Sequence, residues 1–302
     1  IREGFVEPRG RSGTFVSLTA PHLFRHLLVF PPGGAAASGG GSFEQALVRE
    51  ARRLTRAGPQ ELVVFEGVHG PPDLAAIQAI EDDVRCHRAG GVVFLGPPNQ
   101  YAGSPILDAR PFPRVSLSRT GTPRSIPRLG LDRVAFFEQV LDRLTATAGR
   151  VALLGSTRDW EAQVDGLRRV LLGAGWRSRS RWLHRVDVSD AEGCRGLVAL
   201  LMQGPRSRRP DVLILTEELL TGAVREGLAD AGVDPGRDLS LVVESYARGR
   251  ANSPAATCAV RYDLRGLLDD GLGLLAAQRR GEKHLPAVVE RAPEAPPSPV
   301  SG

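Results

Sequence analysis

Apolar positions along this chain fall into short unbroken runs, separated by segments with helical spacing. HLLVF (26–30), ELVVFEGV (61–68), GGVVFLGPP and PRVSLS (113–118) read as four strands in the first half. RVALLGS (150–156), RWLHRV, DVLILT (211–216), LSLVVES (239–245), TCAVRY and LPAVVERAP read as strands in the second. Between them, Ser42 looks like the N-cap of a helix that stops at Gly58, and Asp73 opens another through about Arg88. Asp132 starts a helix whose expected buried stripe is Val134, Phe137, Leu141, Leu144 and Ala148. The following helix is expected to bury Trp160, Val164, Leu167, Leu171 and Ala174. Asp190 caps a further helix, and two more span Glu217 to Ala231 and Asp263 to about Arg280.

The strand runs are apolar throughout and do not alternate, as strands of a parallel sheet covered on both faces must be. Strands alternating with helices predict doubly wound α/β lobes, and two such series predict two similar lobes. Ligands of such lobes bind beyond the carboxyl ends of the strands, and two facing lobes would form a cleft there.

Length agrees with this division, since 302 residues suffice for about two domains. An apolar fraction of 42% and a charged fraction of 24% exclude a largely disordered, collagen-like or coiled-coil chain. No apolar run approaches the roughly 20 residues of a membrane span, and the charged N-terminus lacks an export signal. Cys86, Cys194 and Cys258 are far apart and match no zinc spacing, which fits a reducing cytoplasm. His22 and His26 have no ligating neighbour and read as linker or strand-entry residues. The net charge is +5, with Lys283 the only lysine. Most arginines are dispersed, which favours compositional bias over a basic nucleic-acid face.

No motif for catalysis is present. The loop Gly33–Gly41 lacks the lysine of a GxxxxGK[ST] phosphate loop, and GxSxG, HExxH and DxDxDG are absent. Asp82-Asp83, Glu217-Glu218 and Asp269-Asp270 are adjacent pairs that diverge on a helix and make no acid/base dyad. The expectation is a protein that is not an enzyme, with no cofactor and no metal.

The first 16 residues stand outside the α/β pattern. They predict the end of a helix and then a β-hairpin with Arg9, Gly10, Arg11, Gly13 and Thr14 at its tip. Glycine permits close approach and arginine supplies charge, so such a tip suits a nucleic-acid backbone or minor groove. An ordinary polar turn is the alternative reading of these residues.

EGFVEPRGRSGTFV resembles the wing that closes the winged helix-turn-helix domain of GntR-family bacterial regulators, through Gly4, Phe5, Val6, Gly13, Thr14, Phe15 and Val16. The remainder, about residues 24–292, resembles the sensor domain of LacI/GalR-type repressors. RPFPRVSLSR, GLDRVAFFEQVLDRL, VDGLRRVLLGAGW, TCAVRYDLRGLLDDGL and above all RPDVLILTEELLTGAVREGLADAGVDPGRDLSLVV carry that likeness. The resemblance implies a two-lobed, type I periplasmic-binding-protein-like fold. It implies a first lobe of about 24–122 plus 252–281 and a second of about 123–251 plus 282–292, ahead of a disordered proline-rich tail, 293–302. Residues 1–20 would be the end of a truncated winged-helix domain, since the helices that precede a wing are missing.

The function implied is a cytoplasmic, ligand-responsive transcriptional regulator, acting as a homodimer on a DNA operator through its N-terminal domain. A small-molecule effector, a sugar or a derivative of one, would occupy the cleft. Ser118, Gln163, Glu217, Ser245, Tyr262 and Asp263 fall at its effector-binding positions. Gln163 replaces an arginine there, and Ser118 and Ser245 replace acidic groups, which removes charged partners of sugar hydroxyls. An exported solute-binding protein of the same fold and an α/β nucleotide-using enzyme are the competing functions.

Overall fold

The computed structural model describes residues 4–18, 20–30, 42–65, 74–109, 111–117, 122–144, 149–155, 160–172, 174–246 and 257–295. The chain divides into two compact units, one of Ile1–Ser38, Leu47–Gly130 and Leu264–Glu290, the other of Gly39–Ala46, Leu131–Asp263 and Arg291–Gly302.

The first unit opens with the expected hairpin. Strands β1 (Val6–Pro8) and β2 (Thr14–Val16) are antiparallel, with Val6 opposite Val16 and Pro8 opposite Thr14. Gly10 and Gly13 supply the turn with φ of +53° and +106°, where a Cβ would be strained. A single helical turn, α1 (Pro21–Phe24), leads into β3 (Arg25–Val29). Then follow α2 (Ser42–Ala57), β4 (Glu61–Phe65), α3 (Leu74–Arg85), β5 (Val92–Phe94), the short α4 (Pro105–Asp108), β6 (Arg114–Ser116) and β7 (Arg128–Leu131). The strands β3 to β6 pair in parallel. Their apolar runs are buried because α3 and α4 cover one face, setting Ile80, Val84 and Ile106 against Leu27, Val29, Val92 and Phe94.

The second unit comprises α5 (Arg133–Asp142), β8 (Gly149–Gly155), α6 (Trp160–Leu171), β9 (Trp176–Arg177), β10 (Leu183–Arg185), α7 (Ala191–Leu201), β11 (Val212–Leu215), α8 (Thr221–Asp230), β12 (Ser240–Ser245) and β13 (Thr257–Arg261). Its sheet runs β10-β8-β11-β12-β13, all parallel, with β9 also paired to β8. Helices α7 and α8 bury Val198, Val224 and Leu228 against Leu154, Leu213, Leu215 and Val243. The chain then returns to the first unit through α9 (Leu264–Arg279) and ends in β14 (Val288–Arg291), which borders β7 in the order β14-β7-β6-β5-β3-β4.

Two parallel α/β units are what the apolar runs predict, but the boundaries differ. Residues 257–263 lie in the second unit, not the first, because β13 pairs with β12 from Leu241 opposite Thr257 to Ser245 opposite Arg261. Residues 282–290 lie in the first, because the segment ahead of β14 accepts the Arg128 N–H at the Ala287 carbonyl. Residues 123–130 stay with the first for the same reason. Hydrogen-bond partners across a sheet, not composition, decide where a strand belongs. The expected stripe on α5 is also displaced: the buried positions are Arg133, Phe136, Phe137 and Val140. The helix expected from Glu217 begins as a 3-10 turn at Glu218–Leu220, and α8 starts only at Thr221.

Candidate functional site

In the second unit every strand points the same way, so the residues just after β8, β11, β12 and β13 share one edge of the sheet. Five of the six expected effector positions are described, and four of them fall on or beside that edge. Ser245 ends β12, Tyr262 and Asp263 follow β13, and Glu217 follows β11 by two residues. Gln163 reaches the edge from α6, its Oε1 accepting a 2.7 Å hydrogen bond from the Thr216 hydroxyl. Ser118 lies outside the described residues. Gly155 leaves room for this pair, since a Cβ there would push against Gln163 Oε1 and stand 2.8 Å from Thr216 Oγ1.

The strongest feature of the edge is one that residue spacing did not single out. Arg133, on the first turn of α5, places Nη1 2.6 Å from Glu244 Oε2, with both side chains buried. Tyr246 donates its hydroxyl to the other oxygen, Glu244 Oε1. Burial opposes the arginine's charge, but Glu244 outweighs it and the guanidinium pKa lies well above its usual range. Tyr246 is driven upward by burial and by the same carboxylate, and Tyr262 upward chiefly by burial. The Arg133 guanidinium carbon lies 5.9 Å from the Tyr262 ring centre. Phe136, Tyr262 and Tyr246 stack in a column with centroids 6.0 and 6.4 Å apart, and Phe43 meets Tyr246 edge-on at 5.4 Å.

The remaining polar groups are engaged as well. The Tyr262 hydroxyl donates to the Asp132 carbonyl at 2.8 Å, while the Asp132 side chain caps α5 by accepting from the Ala135 N–H. Glu218 accepts from the Ser245 hydroxyl at 2.9 Å and from the Tyr246 N–H at 3.3 Å. Asp263 pairs with Arg291 at 3.1 Å. The edge is therefore a network of buried hydrogen bonds around an aromatic column, an arrangement suited to holding a ligand or a conformation. A signal for Glu244 was present, since it is a charged residue inside an apolar strand run, whereas Arg133 gave none, because the stripe of Val134, Phe137 and Leu141 leaves it on the outer side.

At the other candidate site, the hairpin tip, Arg9 bonds Glu7 at 3.2 Å and lies 5.1 Å from the Phe15 ring centre. Gly10, Arg11, Gly13 and Thr14 are exposed in the turn and at the start of β2. Phe5 anchors the hairpin by stacking on His22 at 5.4 Å, while Val16 and Leu18 are largely exposed, at 76% and 79%. His26, behind this anchor, is buried and its pKa is lowered to about 4, first by burial and then by Arg279. Among the described residues no cluster of three or more metal-ligating side chains occurs. No described helix is long and apolar enough to cross a membrane.

No protein-family model and no curated protein matches the sequence. Solved structures do match the fold. A regulatory protein of the LacI family from Chloroflexus aggregans aligns over 88% of this chain and 95% of its own, with a TM-score of 0.68 at 16% identity. A transcription regulation repressor of the same family from Corynebacterium glutamicum aligns over 89% and 96%, with a TM-score of 0.63 at 14% identity. The transcriptional regulator CelR in complex with cellobiose aligns over 89% and 82%, with a TM-score of 0.65 at 17% identity. The chain therefore has the two-unit, parallel-sheet fold of these LacI-family regulators.

Proposed function

We propose that this chain is the sensor of a ligand-responsive bacterial transcriptional regulator, in which a small-molecule effector at the carboxyl ends of the sheets controls DNA binding. The observation that carries this reading is the coincidence of two features in one chain. The fold matches LacI-family regulators over nearly nine-tenths of the sequence, and a hairpin with Arg9 and Arg11 at its tip precedes it. The hairpin is the GntR-type wing of a DNA-binding domain, the assembly a cytoplasmic homodimer, and the operator the DNA partner. A twofold regulator suits a palindromic site.

Ser118, Gln163, Glu217, Ser245, Tyr262 and Asp263 are the proposed effector positions. CelR's structural complex with cellobiose makes sugars and their derivatives the first class to test. Differential scanning fluorimetry against mono- and disaccharides, cellobiose included, provides that test. A binder at about 100 times its Kd stabilises by about 2.7 kcal/mol, a melting shift of about 5 °C or more for a chain of this size. Ser245→Ala is expected to reduce the shift measured from its own unliganded melting point, which the lost hydrogen bond to Glu218 lowers by a few °C. No shift with any sugar, nucleotide or small metabolite would overturn the sensor reading.

A further inference from the structure

Arginines elsewhere on this surface commonly have acidic partners: Arg85 pairs with Glu81 and Asp82, Arg195 with Glu192 and Asp230, Arg265 with Asp269, and Arg280 with Glu282. A few exposed arginines elsewhere, Arg49, Arg56 and Arg169 among them, have no such partner among the described residues, but one region gathers several of this kind. From Gly166 to Val186 the sequence contains no Asp or Glu, and from Gly193 to Pro210 again none. Within these stretches Arg177, Arg179, Arg181, Arg185, Arg206 and Arg208 are all exposed, and none has a carboxylate within ion-pair distance among the described residues. Compositional bias toward arginine explains their number but not this local loss of acidic partners.

The fold of the second unit brings the two stretches together. Strands β9 and β10 both pair with the outer side of β8, so the segment 176–185 forms one border of the sheet. Arg177 stands opposite Arg150, and Arg150 binds Asp211 through Nη2 at 2.6 Å and Nε at 2.8 Å. Asp211 immediately precedes β11 and follows the turn that carries Arg206, Arg208 and Arg209. Arg206 lies close enough to help hold both Asp211 and Asp238 below the usual carboxylate range, after the hydrogen bonds from Arg150 and Arg237. Here a cavity of about 230 Å³ is lined by Arg206, Arg209 and Arg237, with Asp211 and Asp238 on its wall. Both aspartates are already engaged by Arg150 and Arg237, so the excess charge is positive.

We propose that this border and the cavity beside Asp211 form a binding surface for the phosphodiester backbone of nucleic acid, separate from the hairpin. The linear extent argues for a polymer: a small anion would fill the cavity and leave Arg177 to Arg185 unused. Arg177 and Arg179 are two positions apart on extended backbone, about 6.6 Å along the chain, so they fall on the same side of it. The guanidinium carbons of Arg179 and Arg181 each lie 5.4 Å from the ring centre of the buried Trp182, which orders them with no acidic partner to displace. Guarding an open sheet edge is the alternative use of such arginines.

The test uses the full 302-residue chain and a fluorescein-labelled duplex of random sequence in an anisotropy titration between 50 and 200 mM salt, taking about that range as informative. The main variant, R177Q/R185Q/R206Q/R208Q, changes side chains that make no hydrogen bond or ion pair among the described residues. It is expected to weaken binding at least about tenfold and to flatten the slope of log K against log salt by about 3 to 4. A charge-matched control, R49Q/R56Q/R265Q/R280Q, is expected to lose far less, and R9Q/R11Q is expected to leave the contribution of the border intact. Matching melting curves establish that each variant is folded. Equal losses in the main and control variants, an unchanged slope in the main variant, or equal competition by polyglutamate at the same charge concentration would each overturn the proposal. The effector screen reads the sensor proposal independently of this result.

Discussion

Arg133 keeps its charge inside the second unit only because Glu244 and the tyrosines accept it. Removing one member of a buried pair leaves the other uncompensated, so Arg133→Ala is expected to cost about 3 to 5 kcal/mol in urea denaturation. The double variant Arg133→Met with Glu244→Leu should cost clearly less than the single change, because neither charge then remains buried. His26 makes a prediction of opposite chemistry. Its pKa falls from 6.5 to about 4 on folding, so the unfolded chain binds the extra proton between these values. The stability it contributes is present above pH 6.5 and is lost as pH falls toward 4, up to about 3 kcal/mol in all. Denaturation midpoints at pH 7, 5.5 and 4.5 should fall less steeply for His26→Leu than for the parent protein. Neither residue was legible as such: His26 read as strand entry, and its burial follows from its place in β3, which pairs with β4 and β5 on either side.

Helices show how far local pattern reaches. Asp132 and Asp190 are N-caps by sequence and N-caps in the structure, each accepting from a backbone N–H three residues on. Asp190→Ala is accordingly expected to cost about 1 kcal/mol. Gly227 illustrates the limit. It is an ordinary-looking glycine in the middle of α8, yet a Cβ there would collide with the Arg195 carbonyl and stand 2.9 Å from Val198 Cβ on α7. Gly227→Ala, normally favourable in a helix, is expected to destabilise by about 1 to 3 kcal/mol by forcing α7 and α8 apart, as measured by the same denaturation curves. The stripe on α5 failed for a related reason. A period of 3.6 fits both the 134-137-141 and the 133-136-137-140 sets, and only the Glu244 carboxylate on a neighbouring strand makes an arginine acceptable on the buried side.

For the whole molecule, the hairpin contributes little to the packed mass. All of β2 is exposed, and Phe5 stacks on His22 at the hairpin's base. Deleting residues 1–16 is expected to shift the melting temperature by less than about 2 °C in scanning calorimetry, with the α/β units retained.

The alternation of apolar runs and helical periods was enough to determine two parallel α/β units, their strand count to within a few short pieces, and the caps at Asp132 and Asp190, because each depends on contacts close along the chain. The short strands β7 and β9 escaped because two to four residues carry no period of their own. Unit membership of 257–263 and 282–290, the Arg133–Glu244–Tyr246 network and the gathering of arginines without ion pairs at one border were decided only by tertiary structure. Arg133 and Glu244 are 111 residues apart. Pairings of that kind are fixed by which strands lie side by side, and strand order follows from the packing of the whole sheet.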